Sequence, residues 1–418
     1  MADQNPKPIR CKAAVCRAAG EPLTIEDIVV DPPKAYEIRI KIVCTSLCHT
    51  DITFWRATVA PVFPRILGHE AYGVVESVGK HVEEFAAGDA VVPTFLGQCG
   101  RCSSCASERN NLCTAAPLAA GSGMRRDGTS RFRDARGAPL HDLFAVSSFS
   151  QYTVVDATQV AKVGHAVPPK LACVLSCGAG TGVGAAWKVA KVEPGSSVAI
   201  FGLGTVGLAV AQGAKMCGAS KIIGVDLNPG KEEIGRTFGM TDFVNPSTLD
   251  KTSVSEVIGE LTGGGADYSF ECIGVSSVMT DAFRSTKPVA ILSMHPQSCD
   301  EAHTLSSQFS SKAPACNELI TTRVKQGNGK TIILGVEKDG QPICLPPFEL
   351  LNGKCVMGSI FGGIKPKTDI PILAEKCMNK ELELDGLITH EVGLGDINRA
   401  FDLLLQGVSL RCIIWMDK

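Results

Sequence analysis

The chain has 418 residues, too many for one ordinary hydrophobic core, so two domains are the starting expectation. A formal net charge of −2 with no basic block argues against nucleic acid or a membrane surface as the main partner, and 44% apolar with 20% charged residues is a globular composition. No apolar run is long enough to span a bilayer and the N-terminal MADQNPKPIRCKAAVC has no apolar leader, so a cytoplasmic protein is the simplest expectation.

In chain order, the first chemically loaded stretch is CTSLCHTDITFW, residues 44–55. Cys48 and His49 are adjacent there, and neighbours seldom point both side chains at one small ion. Next comes CGRCSSCASERNNLC, residues 99–113, which sets Cys99, Cys102, Cys105 and Cys113 at C-x2-C-x2-C-x7-C spacing. Short spacings gather four sulfurs around one centre. Four thiolates fill a tetrahedral shell and leave no position for substrate, so such a site is structural. Zinc is the leading occupant and an iron–sulfur cluster the rival. A zinc-finger binding module would need a basic face, and this lobe carries only two arginines. Eighteen cysteines in a chain without a leader favour metal ligation or buried thiols over disulfides. If the chain is a metalloenzyme, it needs a second, open site built from about three ligands.

Turn chemistry at Glu193-Pro194-Gly195 precedes a short apolar run, SSVAIFG, which reads as a strand. Gly202-x-Gly204-x-x-Gly207 follows at once, then an apolar helix, LAVAQGAKMCG, and a second strand, KIIGVD, ending on Asp226. A lone Gly-x-Gly-x-x-Gly is weak evidence; strand, glycine turn, helix, strand and acid together predict a Rossmann unit. The glycines let backbone approach a pyrophosphate seated on the helix N-terminus. Asp226 is placed to accept from the adenosine ribose hydroxyls and to repel a 2′-phosphate, which favours NAD over NADP. Lys231, five residues on, is a further candidate ribose contact. TDFVNP, ADYSFECIG and TIILGV read as later strands of the same parallel sheet.

A four-cysteine lobe upstream of a NAD-type Rossmann unit, with GHEAYGVVESVG (68–79) and LSCGAGTGVGAAW (175–187), resembles the zinc-dependent medium-chain alcohol dehydrogenases, most of all the plant alcohol dehydrogenase-like proteins. The resemblance implies an α/β fold, with a Rossmann dinucleotide-binding domain over 179–360 and a mostly β GroES-like catalytic domain over 1–178 and 361–418. It implies two zinc ions and NAD per chain, a small alcohol or aldehyde substrate, and a homodimer with its contact near CVMGSIFGG (355–363). It places the catalytic zinc on Cys48, His69 and Cys177, with Glu70 beneath the ion and Asp51 orienting the histidine. By the same resemblance His49 and Arg411 touch the cofactor pyrophosphate, Thr50 takes the alcohol proton, and Phe95, Trp55 and Thr50 line the substrate pocket. The family's relay histidine is replaced by Thr53, which can pass a proton on but cannot hold one near neutral pH. A glutathione-linked hydroxymethyl substrate is the nearest enzymatic alternative. A catalytically weak member acting as a zinc-bound scaffold is the alternative from another class.

One segment does not fit this pattern. After ADYSFECIG and a helix near 277–287, the next strand, TIILGV, begins only at Thr331, whereas a doubly wound fold reaches it within about 2–6 residues. Residues 288–325 read as an insertion, from a retained intron, an erroneous gene model or a lineage-specific loop; a slipped register, with PVAILSM itself a strand, is the further alternative.

Overall fold

The computed structural model describes residues 6–118, 121–288, 329–337 and 340–418. Strands run in chain order as β1 (Ile9–Cys16), β2 (Thr24–Val30), β3 (Glu37–Ser46), β4 (Arg65–Ile66), β5 (Glu70–Val78), β6 (Ala90–Pro93), β7 (Phe132–Asp134), β8 (Pro139–Leu140), β9 (Tyr152–Asp156) and β10 (Val160–Lys162). Next come β11 (Ser197–Phe201), β12 (Lys221–Val225), β13 (Asp242–Val244), β14 (Tyr268–Glu271), β15 (Lys330–Ile333) and β16 (Cys355–Gly358), then β17 (Ile388–Gly393) and β18 (Arg411–Trp415).

Two sheets form the first layer system. One is five-stranded in the order β4-β1-β2-β7-β8; the other is seven-stranded, β10-β6-β5-β3-β18-β17, with β9 also on β3. Their strands alternate or run fully buried against a shared core that includes Ile38, Ile40, Ile42, Val91 and Phe149. The C-terminal β18 pairs antiparallel with β3, so the last residues of the chain complete the sheet begun by the first.

The third sheet is six-stranded, parallel throughout, in the order β13-β12-β11-β14-β15-β16. That order is the doubly wound Rossmann arrangement, with its switch point between β11 and β14. The run SVAIF of β11 is buried at every residue, as a central parallel strand covered on both faces must be. Helix α1 (Thr205–Met216) starts directly after the glycine turn. The expected segment 288–325 lies, but for Pro288, outside the described residues. On either side of the undescribed stretch, Lys287 N–H bonds Ala266 O and Lys330 N–H bonds Asp267 O, the two consecutive residues that lead into β14.

Candidate active site

Three strand ends of the seven-stranded sheet build the centre. Ser46 at the end of β3 is opposite Glu70 at the start of β5 and opposite Ile413 of β18. Cys48 lies two residues beyond Ser46, His69 one residue before Glu70, and Arg411 opens β18, so one sheet corner brings all four together. Cys177 arrives from elsewhere, as the residue preceding the helix Gly178–Gly184. Donor atoms of Cys48, His69, Glu70 and Cys177 all lie within 4.8 Å of one another.

Asp51 organises this corner. It is the third residue of the helix His49–Trp55, and its Oδ2 accepts the Cys48 N–H at 3.0 Å, which caps the helix start. Its Oδ1 accepts the Gly68 N–H at 3.0 Å and lies 3.1 Å from His69 Nδ1. With Nδ1 committed to Asp51, His69 turns Nε2 toward the sulfurs. That atom is buried and has no hydrogen-bond partner among the described residues. Two sulfurs and an unpartnered imidazole nitrogen are the donor set of an open zinc site, so these residues fit the metal that the sequence implies. The hydrogen bond from Cys177 and the charge of Arg411 hold the Cys48 thiol well below its usual pKa, against burial. The same bond, with burial, pushes Cys177 well above the usual value.

Arg411 is buried. Its Nε and Nη2 each reach Glu70 at 2.9 Å, Nη2 lies 3.4 Å from Cys48 Sγ, and Nη1 bonds Thr205 Oγ1 at 2.9 Å. Thr205 is the first residue of α1, so Arg411 ties the Cys48–His69 corner to the glycine turn. Glu70 also accepts from Ser46 Oγ and from Gly178 N–H at 3.2 Å. Its burial raises the carboxyl pKa, with Arg411 opposing.

The glycine turn has the features that a dinucleotide needs. Gly202 sits at φ +90°, a side chain on Gly207 would strike the Gly202 carbonyl, and Gly204 faces open space. Asp226 follows β12 and accepts the Leu203 and Asn228 N–H groups at 2.8 and 2.9 Å. Each carboxylate oxygen keeps a lone pair for a further donor. Lys231 begins the helix Lys231–Thr237, five residues past Asp226. His49 is exposed at the start of its own helix, and Thr50 Oγ1 lies 3.8 Å from Cys48 Sγ. Thr53 Oγ1 bonds the His49 carbonyl at 3.1 Å. It lines an opening of about 240 Å³ with His49, Ile52 and Arg56.

Aromatic rings cover the histidine. Phe95 and Phe144 meet the His69 ring edge-on at 6.1 and 5.9 Å, and Phe361 packs on Phe95 in a tilted contact at 5.0 Å. Phe144 and Phe361 carry no spacing signal that would have singled them out in the sequence. Trp55, expected on this wall, instead packs on Phe401 and donates to the Glu21 carbonyl.

The second cluster gathers Cys99, Cys102, Cys105 and Cys113, also within 4.8 Å. Cys99 and Cys105 sulfurs are 3.9 Å apart, Cys102 and Cys113 sulfurs 3.8 Å. Metal–sulfur bonds of about 2.3 Å give tetrahedral edges of about 3.8 Å, so these thiols also fit a zinc ion. Backbone N–H groups of Cys102 and Cys105 point at Cys99 and Cys102 sulfurs, each at 3.4 Å, as they do around a thiolate. A cleft of about 710 Å³ beside this lobe, lined by Cys105, Trp187, Lys188, Lys191 and Lys376 among others, contains none of the residues at the His69 corner.

A GroES-like catalytic domain and a Rossmann domain meeting at a two-thiol, one-imidazole corner define a medium-chain, zinc-type oxidoreductase. The sequence comparisons agree: residues 34–165 match the alcohol dehydrogenase GroES-like domain and residues 205–294 the zinc-binding dehydrogenase domain. Alcohol dehydrogenase-like 2 of Arabidopsis thaliana is 53% identical over 415 residues, 99% of this chain and 98% of the relative. Alcohol dehydrogenase class-3 of Oryza sativa is 45% identical over 98% of both chains. An alcohol dehydrogenase zinc-binding domain protein from Burkholderia ambifaria superposes with a TM-score of 0.84 at 32% identity, covering 99% of this chain and 100% of that one. Benzyl alcohol dehydrogenase of Acinetobacter calcoaceticus superposes at 0.81 and 27% identity, over 98% and 99%. The chain belongs to the zinc-type medium-chain alcohol dehydrogenase family.

Proposed function

We propose that the chain is a NAD-dependent alcohol dehydrogenase holding two zinc ions, one at Cys48, His69 and Cys177 and one at Cys99, Cys102, Cys105 and Cys113. The observation that carries this is the unpartnered His69 Nε2, buried beside two cysteine sulfurs and fixed by Asp51. The reaction is reversible hydride transfer between a small alcohol and the nicotinamide, yielding an aldehyde or ketone. A bound zinc would supply a Lewis acid that lowers the pKa of the alcohol, as it lowers that of bound water to about 7.

The remaining work falls to the chain. Phe95, Phe144 and Phe361 exclude water and suit apolar alcohols. The Thr50 hydroxyl accepts the alcohol proton. Thr53 stands where the proton must leave, beside the opening it lines with His49, and offers no imidazole to hold it. Asp226 binds the ribose hydroxyls, Lys231 stands beside them, and Gly202, Gly204 and Gly207 admit the pyrophosphate, with His49 and Arg411 as its contacts. The domain division at 1–178, 179–360 and 361–418 belongs to this reading. So does a cytoplasmic location, in keeping with sixteen free thiols among the described residues. A homodimer through β16 completes it: among the described residues that edge strand pairs only with β15, and Phe348, Leu351 and Val336 stand exposed close by in sequence.

The test is NADH formation from a panel of primary alcohols and from a glutathione-linked hydroxymethyl substrate, with metal analysis on the same sample. Two zinc ions per chain with turnover of simple alcohols is the expected result. Two zinc ions without turnover on any substrate would make the chain a scaffold, and turnover confined to the glutathione conjugate would move it to the formaldehyde-handling class.

A further inference from the structure

The four-cysteine lobe makes an unusual set of contacts with a distant segment, Ile360–Lys367. Asn111 lies within the seven-residue loop between Cys105 and Cys113. Its Nδ2 donates to both the Ile360 carbonyl at 2.9 Å and the Ile364 carbonyl at 3.1 Å. From the other side Lys365 Nζ donates to the carbonyls of Cys105 and Ser107, at 2.8 and 2.7 Å. Gln98, next to the first cysteine, accepts the Lys367 N–H at 2.8 Å. These bonds join residues about 250 positions apart and bracket one turn.

That turn is strained. Phe361, Gly362 and Gly363 have φ values of 57°, 59° and 70°, three successive residues in the left-handed region. For a phenylalanine this conformation persists only where the surroundings impose it. Its placement is also exact to within a side chain: a Cβ on Gly362 would strike the Thr181 carbonyl of the helix that follows Cys177. The same turn delivers the buried Phe361 ring to Phe95, and Phe95 lies edge-on to His69.

We propose that Asn111 and Lys365 are positioning residues. They couple the four-cysteine lobe to the Phe361 turn, so that closure of the lobe around its metal sets the aromatic wall of the substrate pocket. The lobe then acts on substrate fit as well as on stability. This inference rests on the function proposed above for the substrate consequence, while the coupling itself can be read without turnover.

The experiment compares Asn111→Ala, Lys365→Met and Lys365→Arg with the unaltered protein. Hydrogen exchange is followed in peptides covering 358–366, with zinc content and the KM and kcat for ethanol and for an aromatic alcohol. Asn111→Ala and Lys365→Met should exchange about tenfold faster across 360–366, the scale of one or two lost hydrogen bonds. Both should keep two zinc ions, and KM for the aromatic alcohol should rise severalfold while that for ethanol stays put. Lys365→Arg, which restores the donors, should return exchange and KM toward the original. Wild-type exchange rates across 360–366 in both Asn111→Ala and Lys365→Met would overturn the coupling. Should Asn111→Ala lose the lobe zinc, the Lys365 pair decides, because that residue lies outside the lobe. A protein that turns over no alcohol would defeat the function reading, and the exchange measurement would still judge the strut.

Discussion

At the scale of single residues, Asp51 carries more of the site than any ligand does. One carboxylate caps a helix, holds the Gly68 turn and fixes the His69 ring. Asp51→Asn keeps the shape but can place an N–H opposite a donor, so His69 loses the partner that directs Nε2 inward. Zinc affinity at the His69 corner should fall by about 10–100-fold while the four-cysteine lobe keeps its metal. Competition with a chromophoric chelator would measure this, and two equally tight zinc ions in the variant would refute it. Thr53 permits the opposite experiment, a gain. Thr53→His would place an imidazole beside the proton's exit and should raise activity between about pH 6 and 8, the range in which an imidazole titrates. An unchanged pH–rate profile would show that proton release does not limit turnover. The two proposed metal sites also differ in how far single residues reveal them. The lobe cysteines are legible from spacing because all four ligands are local. Cys48, His69 and Cys177 lie on three separate elements, and only family likeness joins them before the sheet corner is seen.

At the scale of elements, local pattern carried the Rossmann half furthest. The glycine turn, its flanking strands and α1 fall where spacing places them, since each is set by neighbours along the chain. The return of β18 to β3 is a pairing across more than 350 residues, and no local pattern specifies it. The aromatic wall was half legible for the same reason: Phe95 follows β6 directly, whereas Phe361 comes from a strained turn held by a lobe far away in sequence. Residues 288–325 present the reverse case, a segment that local pattern flags as foreign. The described residues on either side meet: a Cβ on Gly329 would lie 2.6 Å from the Lys287 carbonyl oxygen. A three-residue link over 326–328 therefore suffices to join them. Deleting 288–325 should leave the fold intact and stabilise it by up to about 2 kcal/mol through a shorter closed loop. Thermal unfolding with NADH-binding fluorescence would check this; an insoluble or less stable deletion protein would show that the segment is part of the structure.

At the scale of the whole molecule, burial spreads a pH liability across the chain. Desolvation raises the thiols of Cys16 and Cys412 to about 11 and of Cys377 to about 12, from about 9. Between pH 9 and those values the folded chain holds protons that the unfolded chain has released. Stability present below pH 9 is therefore lost as pH rises through the window. The fall in melting temperature from pH 8.5 to 10.5 should be shallower in Cys377→Ala than in the unaltered protein, and equal slopes would refute the thiol's part. The parallel sheet raises a second question at this scale, because among the described residues its outer strand β16 pairs on one edge alone. Close by in sequence, Phe348 is 68% and Leu351 81% exposed, although both sit on a helix, Pro347–Leu351, that buries no residue of its own. A helix with no buried face gains nothing by folding alone, and an open strand edge invites another chain. A second copy satisfies both needs with one twofold contact, since the same edge and the same apolar residues recur on the partner. Sedimentation should give twice 44.0 kDa for the unaltered protein. The double substitution Phe348→Asp and Leu351→Asp should shift it toward the monomer at micromolar concentration without changing the zinc content. A variant that sediments as an unchanged dimer would place the contact elsewhere on the molecule.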